Sequence, residues 1–185
     1  MAFFASLFGT VELVEPTHSP EQYVKVRQAI GHTEPISAGE VSATDALHKA
    51  SALSPLNLQR IRASVPGGTW RDWPEELIAE CHKRDTGKYY NNVYGRMEWD
   101  ELSPTITTQC YGFGNGRFGH PEQDRAISLR EAALLQSFPE DYAFTEAGKP
   151  VYFKVVARHI GNAVPVELAK AIARSIKGHL EVHLD

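Results

Sequence analysis

Helix-start signals recur along this chain, and they limit much of it to short helices joined by loops. Ser19-Pro20-Glu21-Gln22 combines a capping serine, a first-turn proline and a glutamine at the third helical position. Ser54-Pro55 and Asp72-Trp73-Pro74-Glu75 repeat the signal, and Ser128-Leu-Arg-Glu131 is a complete capping box. We therefore expect a short helix after each of these four starts.

Three other segments have a regular pattern. Residues 1–8 are mostly apolar and predict a buried strand, whereas residues 93–108 predict two short strands separated by the breakers at 100–104. After Pro165, apolar residues recur at the spacing of an amphipathic helix, at Ala169, Ile172, Ala173, Ile176 and Leu180. The mixture of helices and strands predicts an α/β or α+β fold.

Composition supports a folded domain and excludes a strongly basic one. The 185 residues are 42% hydrophobic, which is enough for one domain with a core. The formal net charge is −4, and residues 51–130 hold as many acidic as basic side chains. A nucleic-acid site would therefore depend on individually placed arginines rather than on a broad basic surface.

The two cysteines predict neither a metal site nor a disulfide framework. Cys81 and Cys110 lie alone in AECHK and TQCYG, with none of the spacings of zinc ligands. The apolar opening lacks a basic segment and reaches Glu12 after a short run, so we expect neither a signal peptide nor a membrane partner. These features favour a cytoplasmic protein.

The glycine-rich segment Gly114-Asn-Gly116-Arg-Phe-Gly119 matches the dinucleotide-binding pattern, and acidic residues follow at 140 and 141. That pattern requires a strand before it and a helix opening at its third glycine. Here His120-Pro121 follows, and the next helix cap is Ser128. We expect instead a turned backbone that lets another surface approach closely.

Three segments resemble the cytosine-5 DNA methyltransferases in their order and spacing. Tyr94-Gly-Arg96-Met-Glu-Trp99-Asp100 precedes Ser103-Pro104-Thr105-Ile106-Thr107-Thr108, similar to the end of that family's recognition region. The run from Arg125 through Arg130-Glu131-Ala-Ala to Phe138-Pro139 resembles the ninth of ten ordered motifs, and Gly161-Asn162-Ala163-Val164-Pro165 resembles the tenth. Residues 57–71 resemble the start of the recognition region.

The resemblance implies a small α+β recognition domain over residues 10–140. Residues 1–9 and 141–185 would belong to an incomplete, larger α/β domain of the S-adenosylmethionine-dependent methyltransferase type. The family's cofactor-binding glycine loop, Pro-Cys nucleophile and Glu-Asn-Val motif do not occur in this sequence. We therefore interpret the chain as a C-terminal part with no catalytic residue, and expect an N-terminal methyltransferase part as its partner.

In this family a cysteine thiolate adds to C6 of a flipped-out cytosine, and C5 takes the methyl group. The role implied for this portion is to hold double-stranded DNA and read its sequence. Arg96, Thr105 and Thr107 match motif positions and are predicted DNA contacts, because arginine reads guanine edges and threonine suits phosphates or bases. Arg117 and His120 are predicted contacts from their place in the glycine-rich loop. Ordinary surface or stacking roles are the alternative for the arginines and His120.

The tenth motif implies a cofactor contact. Asn162 and Ala163 would close an S-adenosylmethionine pocket that is only partly present in this chain. Without the resemblance, Gly161-Asn162 is typical of a turn before the helix that starts at Pro165. A non-catalytic DNA-binding module, or an inactive remnant of such an enzyme, is the alternative to a part of an active methyltransferase.

Overall fold

The computed structural model describes residues 4–6, 9–11, 15–146 and 148–184. They form two compact units, one built from residues 24–162 and the other from the described residues of 1–23 and 163–184. The predicted domain boundaries at residues 9 and 140 stay predictions. Within the described ranges, no helix is both long and apolar enough to cross a membrane.

The unit of residues 24–162 is built from short helices and long loops. Its helices are α1 (Val26–Ile30), α2 (Pro55–Ala63), α3 (Glu80–Lys83), α4 (Leu129–Leu135) and α5 (Phe153–Asn162), with 3-10 turns at Trp70–Asp72, Glu75–Leu77 and Phe113–Asn115. The predicted strand pair over residues 93–108 is wrong. Arg96 makes only isolated bridges, to Pro66 and to Gly119.

The other unit contains a short hairpin and a long helix. Strands β1 (Phe4–Ser6) and β2 (Gly9–Val11) pair antiparallel, and α6 (Val166–Leu184) lies beside β2. The helix predicted after Pro165 is confirmed. The strand predicted over residues 1–8 is instead a hairpin arm over residues 4–6, and residues 1–3, 7 and 8 lie outside the described ranges.

Local capping determines where α2 and α4 begin. The Ser54 hydroxyl accepts the Asn57 N–H at 3.2 Å. At α4 the capping is reciprocal: the Ser128 hydroxyl accepts the Glu131 N–H at 3.0 Å, and the Glu131 carboxylate accepts the Ser128 N–H at 2.7 Å. Both predicted helices are confirmed, because each orphan N–H finds a partner only a few residues away.

The other two predicted helices are broken. The Ser19 signal produces one 3-10 turn, Pro20–Gln22, and Tyr23 is extended before α1 begins. The start at 72–75 gives the turn Glu75–Leu77, and α3 follows only after the extended Ile78 and Ala79. Short 3-10 turns form in place of continuous helices because most helical stability comes from tertiary packing rather than from a start signal.

Helix α5 was not predicted, although its sequence carries a helical apolar stripe. Val156, Ala157 and Ile160 are buried at spacings of one and three residues, the pattern of one helix face. The assignment of Gly161-Asn162 to a turn is wrong, because both residues complete the last turn of α5.

Two hydrophobic clusters lie within the unit of residues 24–162. The larger one packs α1, α4 and α5 around the buried residues Val26, Ile30, Met97, Ile127, Leu129 and Ile160. The smaller one is aromatic and contains Ile61, Trp70, Trp73, Phe113 and Ala126. Because the strands among the described residues are three residues long, the predicted α/β class is not confirmed.

Candidate functional site

A surface cleft brings together three of the five predicted DNA contacts. Thr105, Thr107 and Arg117 line this cleft, which has a volume of about 390 Å³. Its other lining residues are Asn92, Leu102, Pro104, Asn115, Gly116 and Phe118. We call this the recognition cleft. Hydroxyl, amide and guanidinium groups converge there on a surface that is otherwise apolar.

The two threonines point outward because the residue between them is anchored inside. Ile106 is buried in the larger hydrophobic cluster, whereas Thr105 and Thr107 are exposed. Alternating directions are typical of extended backbone. The Thr107 hydroxyl accepts the Gln109 N–H at 3.4 Å, a long bond that leaves its own hydrogen available to a ligand.

Arg117 forms one wall of the recognition cleft and is held there by backbone carbonyls. Its Nη1 donates to the Gly68 carbonyl at 2.9 Å and to the Arg96 carbonyl at 3.3 Å. The approach to Gly95 is close enough that a Cβ there would lie 3.0 Å from Cγ of Arg117. The guanidinium is half-buried and fixed in place, so it would lose little conformational entropy on binding.

Arg96 lies inside the protein rather than in the recognition cleft. Its guanidinium donates to the carbonyls of Ile61 and Ser64 at the end of α2 and to those of His120 and Gln123, and it pairs with Asp124. All five N–H groups are used in this way. A base contact from Arg96 would require these bonds to break, so the geometry favours an internal role that joins three chain segments.

His120 is likewise buried. Its Nδ1 accepts the backbone N–H groups of Glu122 and Gln123 at 3.1 and 2.9 Å, so the proton of the neutral ring is on Nε2. That atom is 3.7 Å from a carboxylate oxygen of Glu131. Burial lowers the pKa of His120 to about 4, although the Glu131 charge opposes the shift. His120 is therefore neutral at pH 7 and part of the interior.

The most buried charges form an ion pair that sequence analysis did not single out. Arg125 and Glu131 are fully buried and joined by two bonds of 2.7 Å. Burial alone would raise the pKa of Glu131, but its bonds to Arg125 and that residue's charge outweigh burial and hold the pKa at about 2. Arg125 also donates to the Ile36 carbonyl, so the pair connects α4 to the loop before residue 50.

The neighbouring Ser128 and His48 do not form a nucleophile and base. Nε2 of His48 is 2.8 Å from the Glu34 carbonyl and must donate to it, so Nδ1 accepts from the Ser128 hydroxyl at 2.8 Å. The Ser128 oxygen also accepts the Glu131 N–H, and both side chains are buried. This arrangement stabilises the start of α4, and burial keeps the Ser128 hydroxyl from reaching a substrate.

The predicted cofactor contact Asn162 is the exposed last residue of α5, and Ala163 follows it. The preceding Gly161 packs against the recognition cleft from behind. A Cβ on Gly161 would lie 2.3 Å from the Thr107 carbonyl carbon and from the Thr108 nitrogen. Only glycine permits this contact, which places the end of α5 directly against the backbone of Thr107.

The two cysteines lie in different surroundings. Cys110 is buried, and burial raises the pKa of its thiol to about 12. Cys81 is exposed on α3. A thiolate is the reactive form of cysteine, so Cys110 is not a nucleophile at neutral pH.

The glycine-rich segment does not have the geometry of a dinucleotide-binding loop. The backbone from 113 to 115 is a single 3-10 turn, and the next helix, α4, begins only at Leu129, ten residues after Gly119. The glycines serve close contacts within the chain: a Cβ on Gly119 would lie 2.9 Å from the Gly95 carbonyl, and one on Gly114 would meet the ring of Tyr94.

Comparison with known proteins gives consistent results. Residues 11–178 match the family described as C-5 cytosine-specific DNA methylase. The type II methylase M.HgiDII of Herpetosiphon aurantiacus is 59% identical over 181 residues, which are 98% of this chain and 51% of that protein. The type II methyltransferase M.Sau96I of Staphylococcus aureus is 34% identical over 134 residues, which are 71% of this chain and 30% of that protein.

A plant protein is also similar. DNA (cytosine-5)-methyltransferase 3 of Arabidopsis thaliana is 33% identical over 191 aligned positions, covering 89% of this chain and 13% of that protein. The chain thus spans about half the length of M.HgiDII and less of the other two relatives.

Proposed function

Because this chain belongs to the family of C-5 cytosine-specific DNA methylases, we propose that it is the DNA-reading part of such an enzyme. It binds double-stranded DNA through the recognition cleft, while the rest of the methyltransferase moves the methyl group from S-adenosylmethionine to C5 of cytosine. The target base must leave the duplex stack for this chemistry, so the enzyme has to hold both the duplex and the flipped base.

The observation that carries the proposal is the convergence of Thr105, Thr107 and Arg117 in one cleft. An arginine can bond guanine O6 and N7 or a phosphate, and threonine hydroxyls suit phosphates and base edges. The buried neighbours Arg96 and His120 support this cleft from inside rather than lining it. Their proposed contribution is to position the loops that carry Arg117 and residues 103–108.

The proposed cofactor side of the chain lies at the end of α5. The exposed amide of Asn162 can both donate to and accept from a bound ligand. S-adenosylmethionine, when bound, supplies the activated methyl group. The contact of Gly161 with the Thr107 backbone connects this end of α5 to the recognition cleft. Asn162 and Ala163 would close only one side of the cofactor pocket.

The remainder of the enzyme would supply the nucleophile and cover an apolar stripe on α6. Leu168, Ile176 and Leu180 of that helix are 52%, 38% and 36% exposed. They recur at intervals of eight and four residues, so they lie close to one face. Aliphatic side chains in such a stripe favour burial against a partner surface, and a methyltransferase catalytic part is the proposed partner.

Methyl transfer tests the proposal directly. In one enzyme, this chain replaces the matched part of M.HgiDII; in the second sample, the chain is alone. Both receive duplex DNA and labelled S-adenosylmethionine. We expect label in DNA only with the assembled enzyme, since the chain contains no Pro-Cys nucleophile. Label transfer by the chain alone would contradict the division of roles.

A non-catalytic DNA-binding module is the second candidate, because the groups that line the recognition cleft could bind DNA without any catalytic part. The same assay separates the two. An assembled enzyme that binds duplex DNA but transfers no methyl group, while M.HgiDII itself is active under the same conditions, would support the non-catalytic module.

A further inference from the structure

Two adjacent tyrosines project from the loop that follows α3. Tyr89 and Tyr90 are 75% and 65% exposed, although each ring would gain from burial. We call residues 84–91 the tyrosine loop. Neighbouring exposed aromatic rings with polar flanks are typical of contact surfaces, since they offer a large apolar area together with a hydroxyl group.

The backbone of the tyrosine loop is anchored from below. The indole Nε1 of Trp70 donates to the Tyr90 carbonyl at 2.8 Å, and Arg71 donates to the Asn91 side chain at 3.1 Å and to the Lys88 carbonyl. Trp70 is itself buried in the aromatic cluster and stacks on His82, with ring centroids 4.5 Å apart. The loop is therefore held in one conformation while its two tyrosine rings face outward, an arrangement that lowers the entropic cost of binding.

The same anchoring segment also holds the recognition cleft. The carbonyl of Gly68, two residues before Trp70, accepts a hydrogen bond from Arg117 in the cleft wall. At the other end of the loop, Asn92 lines the cleft itself. Residues 68–71 thus join the tyrosine loop and the cleft by hydrogen bonds, and the chain joins them directly through residues 91 and 92.

The groups around the tyrosines favour a nucleic acid over a protein as the occupant. Lys83, Arg84 and Lys88 precede the tyrosines in the chain, and the Lys88 ammonium lies 5.5 Å from the centre of the Tyr89 ring. Lys83 and Lys88 pair with Glu80 and Asp85 at 2.9 Å, but the four side chains are between 41% and 96% exposed, so the pairs are weak and can exchange for phosphates. Amides and phenolic hydroxyls add groups that can contact base edges.

We propose that Tyr89 and Tyr90 contact the same duplex that occupies the recognition cleft, and that they help determine which base sequence is bound. This inference rests on the proposed DNA-reading function. It adds a specificity surface that lies outside the motifs quoted above, and it assigns that surface to the segment between α3 and the cleft.

The test is selection of duplexes from a pool with a randomised centre, using the full chain. The most enriched duplex and a scrambled duplex of equal composition are then measured for affinity with the wild type and with Tyr89→Ala and Tyr90→Ala. We expect each variant to lose about tenfold in affinity for the enriched duplex and to change little toward the scrambled one.

Tyr152→Ala is the matched control, because Tyr152 is also 65% exposed but lies immediately before α5. The Tyr152→Ala variant should bind the enriched duplex with the affinity of the wild type. Thermal unfolding of all variants checks that the exposed tyrosines do not hold the fold. Tyr89→Phe and Tyr90→Phe remove only the phenolic hydroxyl group. They keep the aromatic rings and therefore the packing of the loop.

The outcomes separate this proposal from the function on which it rests. If the wild type enriches a duplex and all tyrosine variants, alanine and phenylalanine alike, bind it as tightly as the wild type does, the tyrosine proposal is wrong and the DNA-reading function stands. If the wild type enriches no duplex at all, the DNA-reading function itself fails, and the tyrosine proposal fails with it.

Discussion

Two polar regions of this protein contain the residues that the family motifs and the glycine-rich loop single out, and the two regions differ in burial. Arg96, His120, Arg125 and Glu131 form a buried polar centre with nearly every polar atom bonded within the chain. Thr105 and Thr107 in the recognition cleft are exposed. A place in such a segment therefore does not by itself indicate a DNA contact, because four of these six residues are buried and only the two threonines are exposed.

The difference gives each region its own experimental signature. Substitutions in the buried polar centre should lower the free energy of unfolding, since they leave charges or donors without partners inside the protein. Substitutions in the recognition cleft should change DNA binding and leave stability nearly unchanged.

The largest expected effect comes from Glu131→Gln. It leaves the Arg125 charge buried without its counter-charge, which should cost about 3–5 kcal/mol of the free energy of unfolding. Urea denaturation of the purified chain measures this. Glu146→Gln is the control, because its pair with Lys149 is 80% and 66% exposed and should be dispensable. If the two variants were equally stable, the buried ion pair would contribute no more to the free energy of unfolding than the exposed one, and the contrast between the two regions would be wrong.

The free energy of unfolding should depend on pH because His120 takes up a proton when the chain unfolds. Its pKa is about 4 in the folded chain and 6.5 is the ordinary value, so the unfolded chain binds the proton first as the pH falls. The stabilisation is complete above pH 6.5 and is lost between pH 6.5 and 4, by about 3 kcal/mol.

His120→Asn keeps an acceptor for the two backbone N–H groups but does not titrate. Free energies of unfolding measured between pH 7 and pH 4 should therefore fall less steeply for this variant than for the wild type. Parallel curves for the two proteins would show that His120 is not protonated on unfolding in this range.

A smaller effect is expected at the boundary between α5 and the recognition cleft. Gly161→Ala places a Cβ against the Thr107–Thr108 peptide and should cost about 1–3 kcal/mol by overpacking. Gly178→Ala in α6 is the control, because a Cβ there meets nothing within 4 Å and should stabilise the helix by about 0.5–1 kcal/mol. Thermal unfolding of both variants tests whether Gly161→Ala lowers the stability and Gly178→Ala raises it.

Sequence alone predicts those parts of the fold that depend on near neighbours. The capping box at Ser128 and Glu131 closes within four residues, so α4 could be predicted, as could α2 and α6. The spacing of Val156 and Ile160 fits helix α5, but Gly161-Asn162 is typical of a turn and conceals where that helix ends.

The interior role of Arg96 depends on carbonyls that are distant in sequence. Its partners belong to residues 61, 64, 120 and 123, and no local pattern brings these together. Residues 93–108 do not form the predicted strands. Tyr94 has a φ of 60°, which is outside the extended region, and Arg96 forms only isolated bridges, to Pro66 and to Gly119. Thr105, Thr107 and Arg117 line one cleft, and their contact with DNA stays a prediction. The burial of Arg96 and His120 was not predicted.

The most direct measurement combines stability with methyl transfer in the assembled enzyme carrying Thr105→Ala and Thr107→Ala. Both side chains are exposed in the recognition cleft, so the free energy of unfolding of the chain should change by less than about 0.5 kcal/mol. We predict that methyl transfer to duplex DNA nevertheless falls by about tenfold or more, because the variant removes two of the proposed DNA contacts. A variant that is as stable as the wild type and transfers methyl groups at the same rate would contradict the assignment of this cleft to DNA.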